Sequence, residues 1–379
     1  MLGRDRQEEH RSATPLELFF DLCFVVAVAQ AAAELHHELA LGEIGHAVAG
    51  YLAVFFAIWW AWMNFTWFAS AYDVDDVPYR LLTLLQMAGV LVLAAGVKPA
   101  FAEGDFNVVV VGYVIMRMAM VAQWLRVARE HREGRGTALR FALAITIVQI
   151  GWVLRLLLPG SLGWPSFVAL AAAEIAVPIW AERRRPTVWH PEHIAERYGL
   201  FTIIVLGESI LASTVAVQAA SEEGVTGSLV AIALGGLMIV FGLWWSYFKR
   251  PMSAGLVSNR EGFIWGYGHY AVFASGAALG AGIQVAVDNA LHHSELSAVG
   301  NAMSVAVPVA IFLVVVGGLQ TALDHTRPVF RRFTVCAVLV LIAASLAGAV
   351  GVPATVLTFG VLVWLLIAAD LMEARRATR

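Results

Sequence analysis

Charge is scarce in this sequence. Only 14% of its 379 residues are Asp, Glu, Lys or Arg, while 60% are hydrophobic. An ordinary soluble domain carries about a quarter charged residues. A disordered chain and a typical water-soluble enzyme are thereby excluded. Lysine is almost missing: of 25 basic residues, only Lys98 and Lys249 are Lys. The formal net charge is -3 and the arginines are spread thinly, which argues against a nucleic-acid binder. Cysteine is equally rare. Cys23 and Cys336 both sit in apolar runs and read as small core residues, not as a disulfide framework or a zinc site. No GxxxxGK[ST] loop occurs, which argues against ATP-driven transport by this chain alone. His37-Glu38 lacks the second His of an HExxH site. The sequence implies no cofactor, no catalytic set and no metal centre.

What is abundant is long apolar runs. A bilayer core asks for about 20 apolar residues per helix. Twelve segments meet that need, near 15–35, 47–70, 79–97, 106–126, 139–158, 164–181, 197–218, 226–248, 262–287, 301–322, 332–349 and 352–371. The expected fold is therefore an all-α polytopic membrane protein of about 12 transmembrane helices. Glu17 and Asp21 in the first segment argue against a cleaved signal peptide. Alternate connections hold 22 of the 25 basic residues, including Arg4, Arg6 and Arg11, the group Arg126 to Arg140, Arg327, and Arg375 to Arg379. The positive-inside rule then places both termini in the cytoplasm of a bacterial inner membrane.

The second and eighth segments share a pattern. Phe56-Ala57-Ile58-Trp59-Trp60 resembles Phe241-Gly242-Leu243-Trp244-Trp245, and each is followed by further aromatics and a basic residue, Arg80 or Arg260. An offset of six spans preserves orientation. Two parallel six-helix repeats are expected, over 1–185 and 186–379.

Two stretches carry a family likeness. One runs from Thr14-Pro15-Leu16-Glu17-Leu18-Phe19-Phe20-Asp21 to Val25. The other is Glu196-Arg197-Tyr198-Gly199-Leu200-Phe201, leading to Leu206-Gly207-Glu208-Ser209. With Trp59-Trp60 and Tyr72-Asp73-Val74-Asp75-Asp76-Val77-Pro78-Tyr79-Arg80, the chain resembles the bacterial low temperature requirement A family over most of its length. The resemblance implies a polytopic membrane protein and a link to growth in the cold. It supplies no molecular activity.

Ionisable residues inside spans cost about 2.5–3.5 kcal/mol each on insertion scales and mark function. Glu17, Asp21, Glu174 and Glu208 lie well within spans, with Arg117, Arg155 and His269. At 1.5 Å per residue, Glu208 is roughly 18 Å deep, near the midplane. Arg117 and Glu174 fall at a similar level. Arg117 is expected to neutralise Glu208 or Glu174, and the unpaired acid could carry a proton. A static pair that locks helices is the competing reading.

Glu17 and Asp21 are four residues apart and share a helix face; Thr14 with Glu17 has capping-box spacing. His193, Glu196 and Arg197 stand at the cytoplasmic start of the seventh span, either as a helix-end network or as a gate towards Glu208. Asp73, Asp75 and Asp76 form an acidic loop before Arg80, read as a helix N-cap in preference to a divalent-cation site. Glu34, His36, His37, Glu38 and His46 cluster on the outer side, as do Asp288, His292, His293 and Glu295, without metal-site spacing. Ser209 with His269 superficially matches a Ser–His protease but lacks an oxyanion group.

The expected function is secondary transport coupled to a proton or cation. Glu208 is the main coupling carboxylate with Arg117 as counter-charge, assisted by Glu174, Glu17, Asp21 and His269. His193, Glu196, Arg197, Asp73, Asp76 and Arg80 form the cytoplasmic access. The expected partners are the lipid bilayer and a proton or cation, with no signal for an oligomeric state. The alternatives are a channel or lipid-handling protein, a membrane enzyme, or a structural or signalling membrane protein.

Overall fold

The computed structural model describes residues 3, 12–224, 226–324 and 329–377. Arg4, Arg6, Arg11, Arg327 and Arg379, which contribute to the charge asymmetry, lie outside the described residues. The described chain is helical throughout: α1 Pro15–Ala40, α2 Ile44–Tyr72, α3 Val77–Ala95, α4 Val97–Ala102, α5 Asn107–Glu130, α6 Arg135–Arg155, α7 Gly163–Ala181, α8 Pro191–Glu223, α9 Gly227–Phe248, α10 Asn259–Ala290, α11 Ala298–Leu323, α12 Phe330–Ser345, α13 Ala347–Val350 and α14 Val352–Ala377.

Helix starts follow local chemistry. Thr14 and Glu17 cap α1 reciprocally: the Thr14 N–H donates to Glu17 Oε2 at 2.8 Å, and the Glu17 N–H to Thr14 Oγ1 at 3.3 Å. Asp76 caps α3 by accepting from the Tyr79 N–H at 3.0 Å, with Pro78 in the first turn. Thr226, Ser258 and Ser297 cap α9, α10 and α11.

Eleven helices among the described residues are long and apolar enough to cross a membrane. The segment expected over 332–349 differs from the rest. It forms α12, of 16 residues, and the single turn α13. At 1.5 Å per residue α12 is about 24 Å long, short of a ~30 Å hydrocarbon core. The helix stops after Ser345, and α13 ends at Gly351, whose φ of +91° suits glycine.

The chain divides into two compact units. One comprises Met1–Gln30 with Ala53–Arg197, and the other Ala31–Leu52 with Tyr198–Arg379. Helices α1, α2 and α8 therefore contribute to both. In the first unit, α3 packs along α5, α5 on α6, and α6 on α7. In the second, α10 packs along α11, α11 on α12, and α14 on α9 and α12.

Small residues let these helices approach closely. Gly282 of α10 faces the Ser304 carbonyl of α11, where an added Cβ would overlap backbone atoms. Relieving the overlap would push the two helices apart and loosen their packing. Gly282→Ala is therefore expected to destabilise by about 1–3 kcal/mol or more through overpacking. Thermal unfolding in detergent should register it as a drop in melting temperature. An unchanged melting temperature would mean that this seam is not tightly packed.

Candidate functional site

Among the described residues, the acids deep within spans occupy three different settings. The first is a cage around Glu174, in the middle of α7. Its carboxylate accepts from Trp60 Nε1 at 2.8 Å, Tyr113 Oη at 3.0 Å, Arg117 Nη2 at 3.2 Å and Trp152 Nε1 at 3.3 Å. Glu174 and Arg117 are 1% and 2% exposed. The Arg117 guanidinium also lies 4.6 Å from the centre of the Tyr113 ring and donates to its hydroxyl. Every donor is held by a packed aromatic or an ion pair, so the cage joins α2, α5, α6 and α7 firmly. Of the two acids the sequence offered Arg117, Glu208 and Glu174, it meets Glu174, so it is not the counter-charge of Glu208.

The second setting is built on Arg197, which is fully buried. Its Nη2 and Nε reach Asp21 Oδ1 and Oδ2 at 2.6 and 3.1 Å, a bidentate clasp, and Nη1 reaches Glu17 Oε1 at 3.0 Å. His193 Nε2 lies 3.0 Å from the same Glu17 oxygen, and Trp62 Nε1 donates to Asp21 Oδ1 at 2.7 Å. The four-residue spacing of Glu17 and Asp21 on α1, and of His193 and Arg197 on α8, puts each pair on one face. Two carboxylates face one guanidinium, so a proton on His193 makes the cluster neutral. Glu196, one residue away, accepts from the Ala13 N–H at 3.1 Å instead and steadies the start of α1.

Glu208 is the third setting. It stands at the middle of α8 and is 9% exposed. No hydrogen bond or ion pair within the described residues reaches it. The Gly280 Cα of α10 lies against its backbone, and Ser209 Oγ donates to the Gly276 carbonyl at 3.2 Å. The carboxylate is within electrostatic reach of Tyr51. Arg197 and Glu208 are eleven residues apart on α8, about three turns, and so share one face roughly 16 Å apart.

His269 does not join Glu208. It is eleven residues from Gly280 along α10, about 16 Å away in level. Its Nδ1 donates to the Trp265 carbonyl at 2.7 Å, and Nε2 lies 2.8 Å from the Tyr247 hydroxyl. The ring is sealed among Tyr198, Trp265 and Phe273. Ser209 contacts Gly276, seven residues from His269, so a Ser–His pair does not form. Arg155 ends α6, where it donates to the Gly163 carbonyl at 3.2 Å.

The acidic loop is held by cations. Arg80 grips Asp75 with two 2.7 Å bonds, and Arg126 Nη1 donates to Asp76 at 2.6 Å. Asp73 Oδ1 accepts from the Asp75 N–H at 3.1 Å. Arg126 holds the Asp76 carboxyl down to about 2. A depressed folded-state value means stability present above the unfolded pKa of about 3.9 and lost as pH falls towards 2. The pair faces water, so it contributes at most about 1 kcal/mol. The melting-temperature gap between wild type and Asp76→Asn should thus be full at pH 6 and shrink between pH 4 and 2. A gap constant across that range would remove Arg126 from the account.

The two His-rich clusters touch where His36 Nε2 meets Asp288 Oδ2 at 2.7 Å. No group of three or more His, Cys, Asp or Glu side chains is placed to hold a metal ion among the described residues. A network that the sequence reading missed surrounds Asp370. It pairs with Lys249, with Arg332 Nη2 at 3.1 Å and with Arg250 Nη2 at 3.9 Å, while Arg250 Nη1 also reaches Asp324 at 3.4 Å. The indole and phenol donors to Glu174 and Asp21 were missed too. Their signal was present, since Trp and Tyr buried in a span need an acceptor.

Glu17, Asp21, Arg197 and Glu208 sit on the stretches that carry the family resemblance, whereas Arg117 and Glu174 do not. The model of the bacterial low temperature requirement A protein (LtrA) matches residues 12–369. The chain belongs to the LtrA family. Glu17, Asp21, Arg197 and Glu208 all lie inside the matched region. The chain is also 30% identical over 267 residues to the uncharacterized protein RA0937 of Rhizobium meliloti (strain 1021). That match covers 65% of this chain and 60% of the relative. Family membership establishes a polytopic membrane protein of bacterial type.

Proposed function

We propose that this LtrA-family protein is a secondary transporter coupled to a proton or cation, with Glu208 as the titrating carboxylate. One observation carries the reading. Of the four acids deep within spans, Glu17, Asp21 and Glu174 are engaged by Arg, His, Trp or Tyr, while Glu208 has no partner among the described residues. A buried carboxylate without a counter-charge favours its neutral form and can take up or release a proton or bind a cation. The Arg197 cluster, with a proton on His193, is the station on the same face of α8 nearer the membrane surface. Asp73, Asp76 and Arg80 shape the access loop. Glu174 and Arg117 hold together the helices of the first unit.

Twelve crossings, with the short α12 accommodated by local thinning of the bilayer, put both termini in the cytoplasm of the inner membrane. A duplication over 1–185 and 186–379 is supported by the matching packing order α3–α5–α6–α7 and α10–α11–α12–α14. It is also supported by an ion pair of exchanged sign. Asp76 after α2 meets Arg126 near the end of α5, and Arg250 after α9 meets Asp324 at the end of α11. The test is proton uptake into proteoliposomes under an imposed membrane potential, wild type against Glu208→Gln, with uptake expected to be lost in the variant.

A further inference from the structure

The second unit contains a cavity of about 420 Å³, within the range of ligand-binding pockets. It lies between the end of α1 and start of α2 on one side and α10 and α11 on the other. Its floor is buried: Leu35, Tyr51, Ala274 and Pro308 are at most a few per cent exposed. Its rim is open and apolar, with Ile44, Val48, Leu52, Val307 and Ile311 each 41–50% exposed.

The two tyrosines of the wall present no free hydroxyl. Tyr51 donates to the Ala274 carbonyl at 2.6 Å and Tyr270 to the Leu52 carbonyl at 2.9 Å. The only polar side chains left on the lining are Ser275 and Ser304. Ser275 donates to the Ala271 carbonyl at 2.6 Å, and Ser304 to the Asn301 carbonyl at 2.7 Å. The groove therefore offers dispersion contacts and no hydrogen bond.

We propose that this groove binds one acyl chain of a bilayer phospholipid. Three observations select that occupant. The groove lies within spans, so its exposed rim meets lipid tails and not water. It runs from Gly300, near the start of α11, to Ile311, about 16 Å, which matches one leaflet of a ~30 Å core. Partly exposed polar groups stand at the connections beside its outer end, where a headgroup would lie: His36, which meets Asp288 at 2.7 Å, and Ser294. Pro308 sits in the inner part of the wall, where it removes the helix bond to the Ser304 carbonyl. Glu208 faces the Gly276 and Gly280 side of α10, whereas the groove uses Ala271, Ala274 and Ala278. Tyr51 lines the groove and stands within electrostatic reach of Glu208, so the two sites are neighbours, but lipid binding rests on the groove's own lining and does not require proton coupling.

The test is native mass spectrometry of the full chain released from vesicles of 16-carbon phosphatidylcholine, at collision energies that strip loosely held lipid. Wild type is expected to keep one phospholipid per chain. Met303→Trp and Val48→Trp, which fill the groove from opposite walls, should lower that adduct at least tenfold. Leu339→Trp on the exposed face of α12 should leave it unchanged. A photoactivatable phospholipid with its reactive group at mid-chain should label Ala278 or Met303, so the question stays answerable even if one variant folds poorly. Equal retention in the filled variants, a fatty-acid adduct alone, or labelling confined to exposed faces would overturn the proposal.

Discussion

Arg197→Leu is expected to yield no folded, monodisperse protein. The substitution leaves Glu17 and Asp21 buried together without their cation. Removing one partner of a single buried pair costs about 3–5 kcal/mol. Here two carboxylates lose one guanidinium, against a total stability of about 5–15 kcal/mol for a typical protein. Arg197→Lys should rescue only partly, because a single ammonium cannot reproduce the bidentate clasp on Asp21 and also reach Glu17. The combined Glu17→Gln, Asp21→Asn and Arg197→Leu chain should fold better than Arg197→Leu alone, since no uncompensated charge remains. Size-exclusion chromatography and thermal unfolding in detergent read all three. A single Arg197→Leu variant that eluted and melted like wild type would show that the acids are neutral already.

Glu208→Gln is expected to behave in the opposite way: folded, but without proton uptake. Glu208 has no ion pair to lose, and an amide of the same shape mimics its neutral carboxyl. Its melting temperature should therefore stay close to wild type or rise. Glu174→Gln is the contrasting case. It strands Arg117 among aromatics and should lower stability by about 3–5 kcal/mol. Uptake should fall at least tenfold in Glu208→Gln if the titrating group lies on the path. Equal uptake by wild type and Glu208→Gln would end the assignment of Glu208. Absence of uptake by folded wild type, at either sign of potential, would end proton coupling and leave a cation gradient as the next one to impose.

The pairing pattern separates two kinds of intramembrane acid that look alike in the sequence. Glu174 and Glu208 each lie mid-helix, each in a run of small and aliphatic residues. One is surrounded by four donors and the other by none. That difference comes from which faces of α2, α5 and α6 turn towards α7, which no spacing along the chain encodes. His269 teaches the same point. The sequence grouped it with Glu208 as a coupling residue, but a helix 32 residues long carries groups far apart in level, and the ring is closed off by Tyr247 and Trp265.

Much was nevertheless legible from residues alone. Apolar run length sets helices, because a backbone in lipid must bond to itself, and the Thr14–Glu17 and Asp76 caps are local chemistry. The four-residue spacing of Glu17 and Asp21 put them on one face before any neighbour was known. The tertiary structure decided the rest. It gave Arg197 to both of those acids and Arg117 to Glu174. It shortened the segment after Phe330 to a 16-residue helix, and it opened an apolar groove between helices remote in sequence. Periodicity along one helix tells which side a residue occupies. Which helix stands on that side depends on the packing of small residues such as Gly282 against a neighbouring helix, and that is a property of the folded chain.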